Sequence, residues 1–278
     1  MGLKKRDSAR IKLEKPRGIL NAPATGDGSG LTRYWPAPDL APFIEHFWVV
    51  RWNVPEPLTA ETVPHPSVHL VLETSGRAEV IGVMSRKFTR RIEGQGRVIG
   101  TKFRPGAFRA FVSRPVSDFT NRRLHVTEVF GEKARNLGPR VFRSDDDLEG
   151  IAILEPFLWG LRPRRDESID LAGRVAARIA EDRGIVRVEQ IVSEFGVPSR
   201  RLQRLFREYV GVSPKWTIQR YRLLEAAERM AAGTTFAWAE LALDLGYADQ
   251  AHFIRDFKRF VGRTPAHYVR ERAAQAAD

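Results

Sequence analysis

The sequence predicts two domains: a mostly β N-terminal domain, barrel or sandwich, and an all-α C-terminal domain in which two helix-turn-helix units are joined by a long helix. Three observations predict this. The chain has 278 residues, against ~100–200 for a typical domain. From residue 31 to about 142, short apolar or aromatic runs are separated by Pro and Gly, whereas beyond 167 the apolar spacing is helical. Within that helical part the sequence repeats itself at an offset of 50 to 51 residues.

The elements follow in order. Residues 1–30 mix basic residues with Gly, Pro, Ala and Ser without any period, which predicts a flexible tail. Strand-length runs come next, at Phe43–Trp52, Val68–Leu72, Ala78–Val83, Val98–Phe103 and Ala107–Val112, and define a β-rich domain over 31–144. The first of these is aromatic or β-branched on both phases, so a partly helical form is the alternative. Asp145–Asp147 would open a helix on which Leu148, Ile151, Ile153, Leu154 and Leu158 share helical spacing. Gly160–Glu167, short, charged and broken by Pro, reads as the linker, so 145–167 is helix and linker and 168–278 is the helical domain.

The repeat can be read residue by residue. Leu202, Arg204, Phe206, Gly211 and Ser213-Pro214 recur as Phe253, Arg255, Phe257, Gly262 and Thr264-Pro265, while Ile191, Val192, Phe195 and Gly196 recur as Leu241, Ala242, Leu245 and Gly246. The offset grows from 50 to 51, so the second copy has one extra residue between its helices. Each copy is a short apolar helix, a tight turn and a longer helix. The turn needs Gly196 or Gly246, because a left-handed residue costs little only without a Cβ. Ser199 or Asp249 is expected to cap the second helix. Leu202, Leu205 and Phe206, and in the second copy Phe253 and Phe257, would anchor that helix, leaving a polar outer face. On the first copy that face carries Arg200, Arg201, Gln203, Arg204 and Arg207, and on the second Gln250, His252, Arg255, Lys258 and Arg259. Arg and Gln are the side chains that contact guanine and adenine bidentately in a major groove, and residues farther along such a helix reach phosphate. Between the copies, Pro214–Ala232 reads as one helix with Trp216, Ile218, Tyr221, Leu224 and Met230 as its buried stripe. A rigid connector of this kind would hold two reading helices about one DNA turn, ~34 Å, apart. A solvated basic face explains one such helix well. It does not explain the matching glycine, cap, core and basic face in both copies.

Charge gives a weaker hint in the same direction. There are 46 Lys+Arg against 34 Asp+Glu, a formal net charge of +12, which suits an anionic partner. Most of the excess lies before residue 168 (+8, against +4 after it), outside the helices that would read DNA. The absence of cysteine excludes thiolate metal sites, disulfide scaffolds and cysteine nucleophiles, and fits a cytoplasmic protein. No run of 18 apolar residues occurs, and the Lys-rich N-terminus is not followed by an apolar stretch, so neither a membrane span nor a secretory signal is expected.

Gly211–Ala226 (GVSPKWTIQRYRLLEA) and Leu245–Tyr268 (LGYADQAHFIRDFKRFVGRTPAHY) resemble the DNA-binding domain of AraC/XylS-type bacterial transcription regulators. The second stretch carries Gly246-Tyr247, Asp249-Gln250, His252-Phe253, Phe257, Gly262, Thr264-Pro265 and Tyr268; the resemblance covers about Ile169–Arg272. It implies two units docking in successive major grooves. Matching positions make Arg200, Gln203 and Arg204, then Gln250, Ala251, His252 and Arg255, the base-facing side chains. Ser199, Arg201, Arg207, Lys215, Lys258, Arg259 and Arg263 would contact phosphate. Val192 departs from the family's usual Ala, which Ala242 keeps. The resemblance also implies an N-terminal sensor or dimerisation domain, often a cupin-like β-barrel, with the helix around Leu148–Leu158 as a dimer contact.

In that N-terminal region, Trp35-Pro36-Ala37-Pro38, Phe47-Trp48, Val63-Pro64-His65-Pro66 and Gly100–Ala107 resemble a less characterised domain found attached to such regulators. Trp48, His65, His69, Lys102 and Arg104 are the candidate effector pocket, for an anionic or aromatic small molecule. His65 and His69 lie four residues apart, on one face if on a strand. A metal would want a third ligand from Glu45, His46 or His125, and ordinary hydrogen bonding explains the pair better. Between Arg86 and Arg123 there are eleven basic residues and only Glu93 and Asp118 as acids. An anionic pocket, a phosphate-contacting surface and a solvated strand face are all open for them. The aromatic residues (Trp35, Phe43, Phe47, Trp48, Trp52, Phe103, Phe108, Phe111) suit either a pocket or a core.

The expectation is a DNA-binding transcription regulator that binds double-stranded operator DNA, with RNA polymerase as a further partner, as a monomer or homodimer. No cofactor, metal or catalytic residue is expected. A ligand-independent nucleoid-type DNA binder and a metal-binding cupin enzyme fused to a DNA-binding domain are the alternatives.

Overall fold

The structure, a computed structural model, describes residues 11–12, 19–21, 30–231 and 237–277. Most of the tail 1–30 and the end of the Pro214–Ala232 helix therefore lie outside the described residues. Two pieces of the tail are described, both as short strands. These are β1 (Ile11–Lys12) and β2 (Ile19–Asn21), pairing with β3 (Gly30–Tyr34) and β4 (Ile44–Thr62) respectively.

The sheet continues through β5 (His69–Glu73), β6 (Ala78–Ile81), β7 (Phe88–Phe103) and β8 (Arg123–His125), antiparallel throughout, in the order β1-β3-β4-β7-β5-β6-β8. Among the described residues this path does not close into a ring. Its spine is the ribbon of β4 and β7, which stay paired from Ile44↔Phe103 to Thr62↔Phe88. The register breaks between Val54 and Leu58, where Pro55 and Pro57 lack ladder donors, and such a bulge bends a ribbon. Alternation then sorts the side chains by face. Phe47, Val49, Leu70, Leu72, Val80, Ile99 and Phe103 enter a core, each almost fully buried. Trp48, Val50, Trp52, His69, Val71 and Val98 lie on the opposite face.

The run Ala107–Val112 is not a strand. Gly106, at φ 87, turns the chain out of β7, and Ala107–Phe111 forms a 3-10 helix. Residues three apart eclipse in that helix, so Phe108 and Phe111 both point into the core, where Phe103 meets their rings edge-on at 5.0 and 5.1 Å. A second 3-10 turn (Val116–Phe119) and the helices α1 (Val126–Phe130), α2 (Leu137–Val141) and α3 (Asp147–Gly160) complete this half. Asp146 caps α3 through Leu148 and Glu149 N–H at 2.7 and 3.2 Å, as the acidic start predicts. Ile151, Leu154 and Leu158 of α3 are fully buried against the sheet.

After the linker, α4 (Glu167–Glu181) leads into α5 (Val188–Phe195) and α6 (Ser199–Leu205), which runs on as a π-helical turn over Phe206–Val210. The connector α7 (Pro214–Ala231) precedes α8 (Trp238–Asp244), α9 (Gln250–Val261) and α10 (Pro265–Ala277). Each helix-turn-helix unit has its own apolar cluster, and each is tied to the N-terminal domain. Tyr209, Val212 and Trp216 pack on the sheet's core, whereas Val63, from beyond the end of β4, is buried inside the cluster of the second unit. Among the described residues no helix is long and apolar enough to cross a membrane.

Candidate nucleic-acid interface and sensor cavity

Both turns are built as the repeat requires. Gly196 (φ 62) and Gly246 (φ 79) sit in the left-handed region, and a Cβ on Gly246 would lie 2.7 Å from that of Val186. Leu202, Phe206, Phe253 and Phe257 are fully buried and fix α6 and α9 against their partners. Opposite them, Arg200, Arg201, Gln203, Arg204 and Arg207 are exposed on α6 and its extension, and Gln250, Ala251, Arg255, Lys258 and Arg259 on α9. His252 is half-exposed, its Nε2 3.4 Å from Asp256 Oδ2, and Lys215 is exposed at the start of α7.

One capping expectation needs correction. Asp249 does cap α9, accepting the His252 N–H at 2.7 Å, but Ser199 caps nothing: Pro198 holds the cap position and Ser199 is already the first helical residue. Its hydroxyl is exposed and instead stands 3.5 Å from Gln203 Nε2. Arg263, expected at phosphate, is half-buried and bound to Glu61 at 2.6 Å and to Glu271.

The stripe on α7 also differs. Ile218 and Met230 are buried, but Trp216, Tyr221 and Leu224 are half-buried, and Thr217, Arg220, Arg222 and Leu223 are enclosed instead. The apolar stripe alone does not account for this, because α7 is surrounded by both units and the sheet domain. Arg222 pairs with Glu225 at 2.8 Å and donates to the Ile179 and Asp182 carbonyls at 3.0 and 3.1 Å, satisfying the C-terminus of α4. Arg220 lies over the Phe260 ring, 4.7 Å from its centroid, and burial pushes its pKa down to about 9.

The basic stretch 86–123 resolves into contacts within the protein. Lys87 meets Glu61, Arg90 meets Glu73, Lys102 meets Glu45 at 2.8 Å, and Arg97 reaches the Asp145 carbonyl at 2.5 Å. Arg114 and Arg123 lie over Phe119 and Phe88. Arg109 spans the domains: it donates to Glu208 at 3.3 Å and sits over Tyr209, while Thr120 donates to the Gly211 carbonyl at 2.6 Å. These contacts fall on the π-helical turn, so the wider turn presents Glu208 and Tyr209 to the sheet domain.

All five residues of the expected effector pocket border one cavity of about 1420 Å³ between the sheet and helices α4 and α7. Trp48, His65, His69, Lys102 and Arg104 come from the sheet side, Arg174, Tyr221 and Glu228 from the helices. Lys102 is matched by Glu45, and Arg104 Nε donates to the Ala41 carbonyl at 2.7 Å. Trp48 Nε1–H donates to His69 Nδ1 at 3.2 Å. Burial first, then Lys102, pushes the His69 pKa down to about 3, so the ring is neutral at physiological pH. His46 and Glu45 border the same cavity; His125 instead caps α1. Among the described residues no three metal-ligating side chains converge.

Two exposed reading faces on separately anchored helices define a tandem helix-turn-helix DNA-binding protein. Residues 191–271 match a family described as a helix-turn-helix domain, and residues 32–125 match a domain of unknown function, DUF6597. The probable transcription factor PqrA of Proteus vulgaris is 30% identical over 83 residues, which span 30% of this chain and 67% of that protein. A solved probable AraC family transcriptional regulator from Rhodopseudomonas palustris CGA009 is 24% identical, covering 37% of this chain and 97% of its own, with a TM-score of 0.34. ToxT from Vibrio cholerae O395 is 13% identical over 80% of this chain and 96% of its own, with a TM-score of 0.39. The chain belongs to the AraC family of transcription regulators and is a DNA-binding regulator with a β-sheet N-terminal domain.

Proposed function

We propose that the two units read successive major grooves of an operator, Arg200, Gln203 and Arg204 facing bases from the first and Gln250, Ala251, His252 and Arg255 from the second. Ser199, Arg201, Arg207, Lys215, Lys258 and Arg259 take phosphates; Arg263 is left out because Glu61 and Glu271 occupy it. The observation that carries this reading is the duplicated exposed polar face on α6 and α9 above fully buried Leu202, Phe206, Phe253 and Phe257. In this reading 31–144 is the sensor domain, 145–167 the helix and linker and 168–278 the DNA-binding domain. The cavity around Trp48 and His69 takes a small-molecule effector. The protein acts in the cytoplasm on promoters served by RNA polymerase, without catalysis of its own.

A salt-dependent shift assay on the selected operator tests the reading. Arg204→Ala and Arg255→Ala should each cost ~1–3 kcal/mol at one base position and relax preference there. If both variants discriminate among sequences as the parent does, α6 and α9 are not the reading helices.

A further inference from the structure

Adjoining the interdomain cavity, on the face of the β4–β7 ribbon that carries Trp48 and Trp52, lies a second chamber of about 240 Å³. Its walls are mainly apolar, with Trp48, Trp52, Val71, Ile81 and Ile92 among them, and His69 at the boundary with the larger cavity. The geometry points to this chamber as a binding site for an uncharged, flat, fused two-ring heteroaromatic molecule that accepts one hydrogen bond from His69. The inference deepens the effector reading above and rests on it only for its regulatory consequence.

Size sets the first limit. A dry cavity of ~150 Å³ holds benzene, with its six heavy atoms, so 240 Å³ suits about ten. The walls set the shape. Trp48 pairs across the ribbon with Gly100, and Trp52 with Gly96. Each indole lies flat on its glycine: a Cβ on Gly100 would come 2.0 Å from the Trp48 ring, and one on Gly96 2.2 Å from the Trp52 ring. Only glycine lets the two ring systems settle onto the strand and leave the space above them open. Indoles held this way offer flat surfaces for aromatic stacking.

Charge sets the third limit. Of the ionic groups in its lining, Arg90 is matched by Glu73 and Arg123 lies over the Phe88 ring, 4.6 Å away, while Glu79 and the exposed Arg77 bring one charge of each sign. Lys102 and Arg104 of the larger cavity are likewise held, by Glu45 and the Ala41 carbonyl. An anion seated on Arg90 or Lys102 would have to displace Glu73 or Glu45. His69 Nδ1 receives the Trp48 N–H, which puts the ring proton on Nε2, a donor for which the described residues offer no acceptor. A ligand ring nitrogen or carbonyl would fill that role.

The experiment titrates the full-length protein with quinoline at pH 7.5, read by tryptophan quenching and saturation-transfer NMR. Naphthalene (no acceptor) and 1-naphthoate (an anion) are the comparators. Quinoline should saturate and bind at least about tenfold more tightly than 1-naphthoate. His69→Phe should remove its advantage over naphthalene, also about tenfold, the value of one well-made hydrogen bond. Val71→Phe, which fills the chamber, should weaken both neutral ligands, and an unchanged thermal midpoint would show that it folds. Should Val71→Phe fail to fold, the ranking of the three ligands on the parent still decides. The inference is overturned if 1-naphthoate binds as well as quinoline, if folded Val71→Phe retains full affinity, or if neither neutral ligand saturates. Quinoline binding that leaves operator affinity unchanged would instead refute the effector role and keep the site.

Discussion

Val63 is the residue whose loss should show how the second reading unit is held. It follows β4 directly, yet it is buried with 2% exposure among Leu223, Met230, Leu241, Phe253 and the other apolar residues of the second unit. Val63→Ala removes two carbons from that cluster, worth ~0.8 kcal/mol each, plus a cavity term, for ~1.5–2.5 kcal/mol in all. The loss should fall on the docking of α8 and α9 rather than on the sheet, because Leu70 and Ile99 belong to a different cluster. Native-state hydrogen exchange resolves the two. Amides in α8 and α9 should exchange roughly 10- to 70-fold faster, with those in β5 and the middle of β7 unchanged. Exchange that rises equally in β5, or not at all in α8 and α9, would refute the claim that Val63 is the sheet domain's anchor in the second unit.

Two further predictions concern single side chains. Asp249→Ala should lower the urea midpoint by the equivalent of ~1 kcal/mol, the usual worth of an N-cap, while Ser199→Ala stays within ~0.5 kcal/mol; equal losses would contradict the capping geometry. His69 supplies a pH dependence. Its folded pKa is lowered to about 3 from 6.5, so below pH 6.5 the unfolded chain binds a proton that the native ring refuses. Stability from this group is therefore full above about pH 6.5 and is lost as pH falls towards 3. Urea unfolding of His69→Gln should show a smaller drop between pH 7 and pH 5 than the parent; an identical drop would clear His69 as its source.

The helical domain was legible because its signals are local and occur twice. Gly196 and Gly246 mark turns whatever surrounds them, and Phe253 and Phe257 need only their own helix to declare a buried face. Asp249 was readable as a cap, and Asp145–Asp147 as a helix start, for the same reason. Ser199 failed because Pro198 already fixes the extended φ and ψ of a cap, moving the serine one place into the helix. The burial of the α7 arginines was not legible, for a longer-range reason. Nothing near Arg222 in sequence reveals that the end of α4, some forty residues earlier, needs its donors.

The basic stretch 86–123 shows the same limit and gives the charge excess its physical sense. Read along the chain, it leaves an anion site and a solvated face both open, because its acidic partners come from elsewhere: Glu45, Glu61 and Glu73 from the strands before it, Asp147 and Glu208 from after it. Folded, the same cations become fasteners. Arg109 with Glu208 grips the end of the first reading helix, while Lys87 and Arg263 share Glu61 beside the second. The sheet domain thus holds each DNA-reading unit at a separate point, with the cavity lying between sheet and helices.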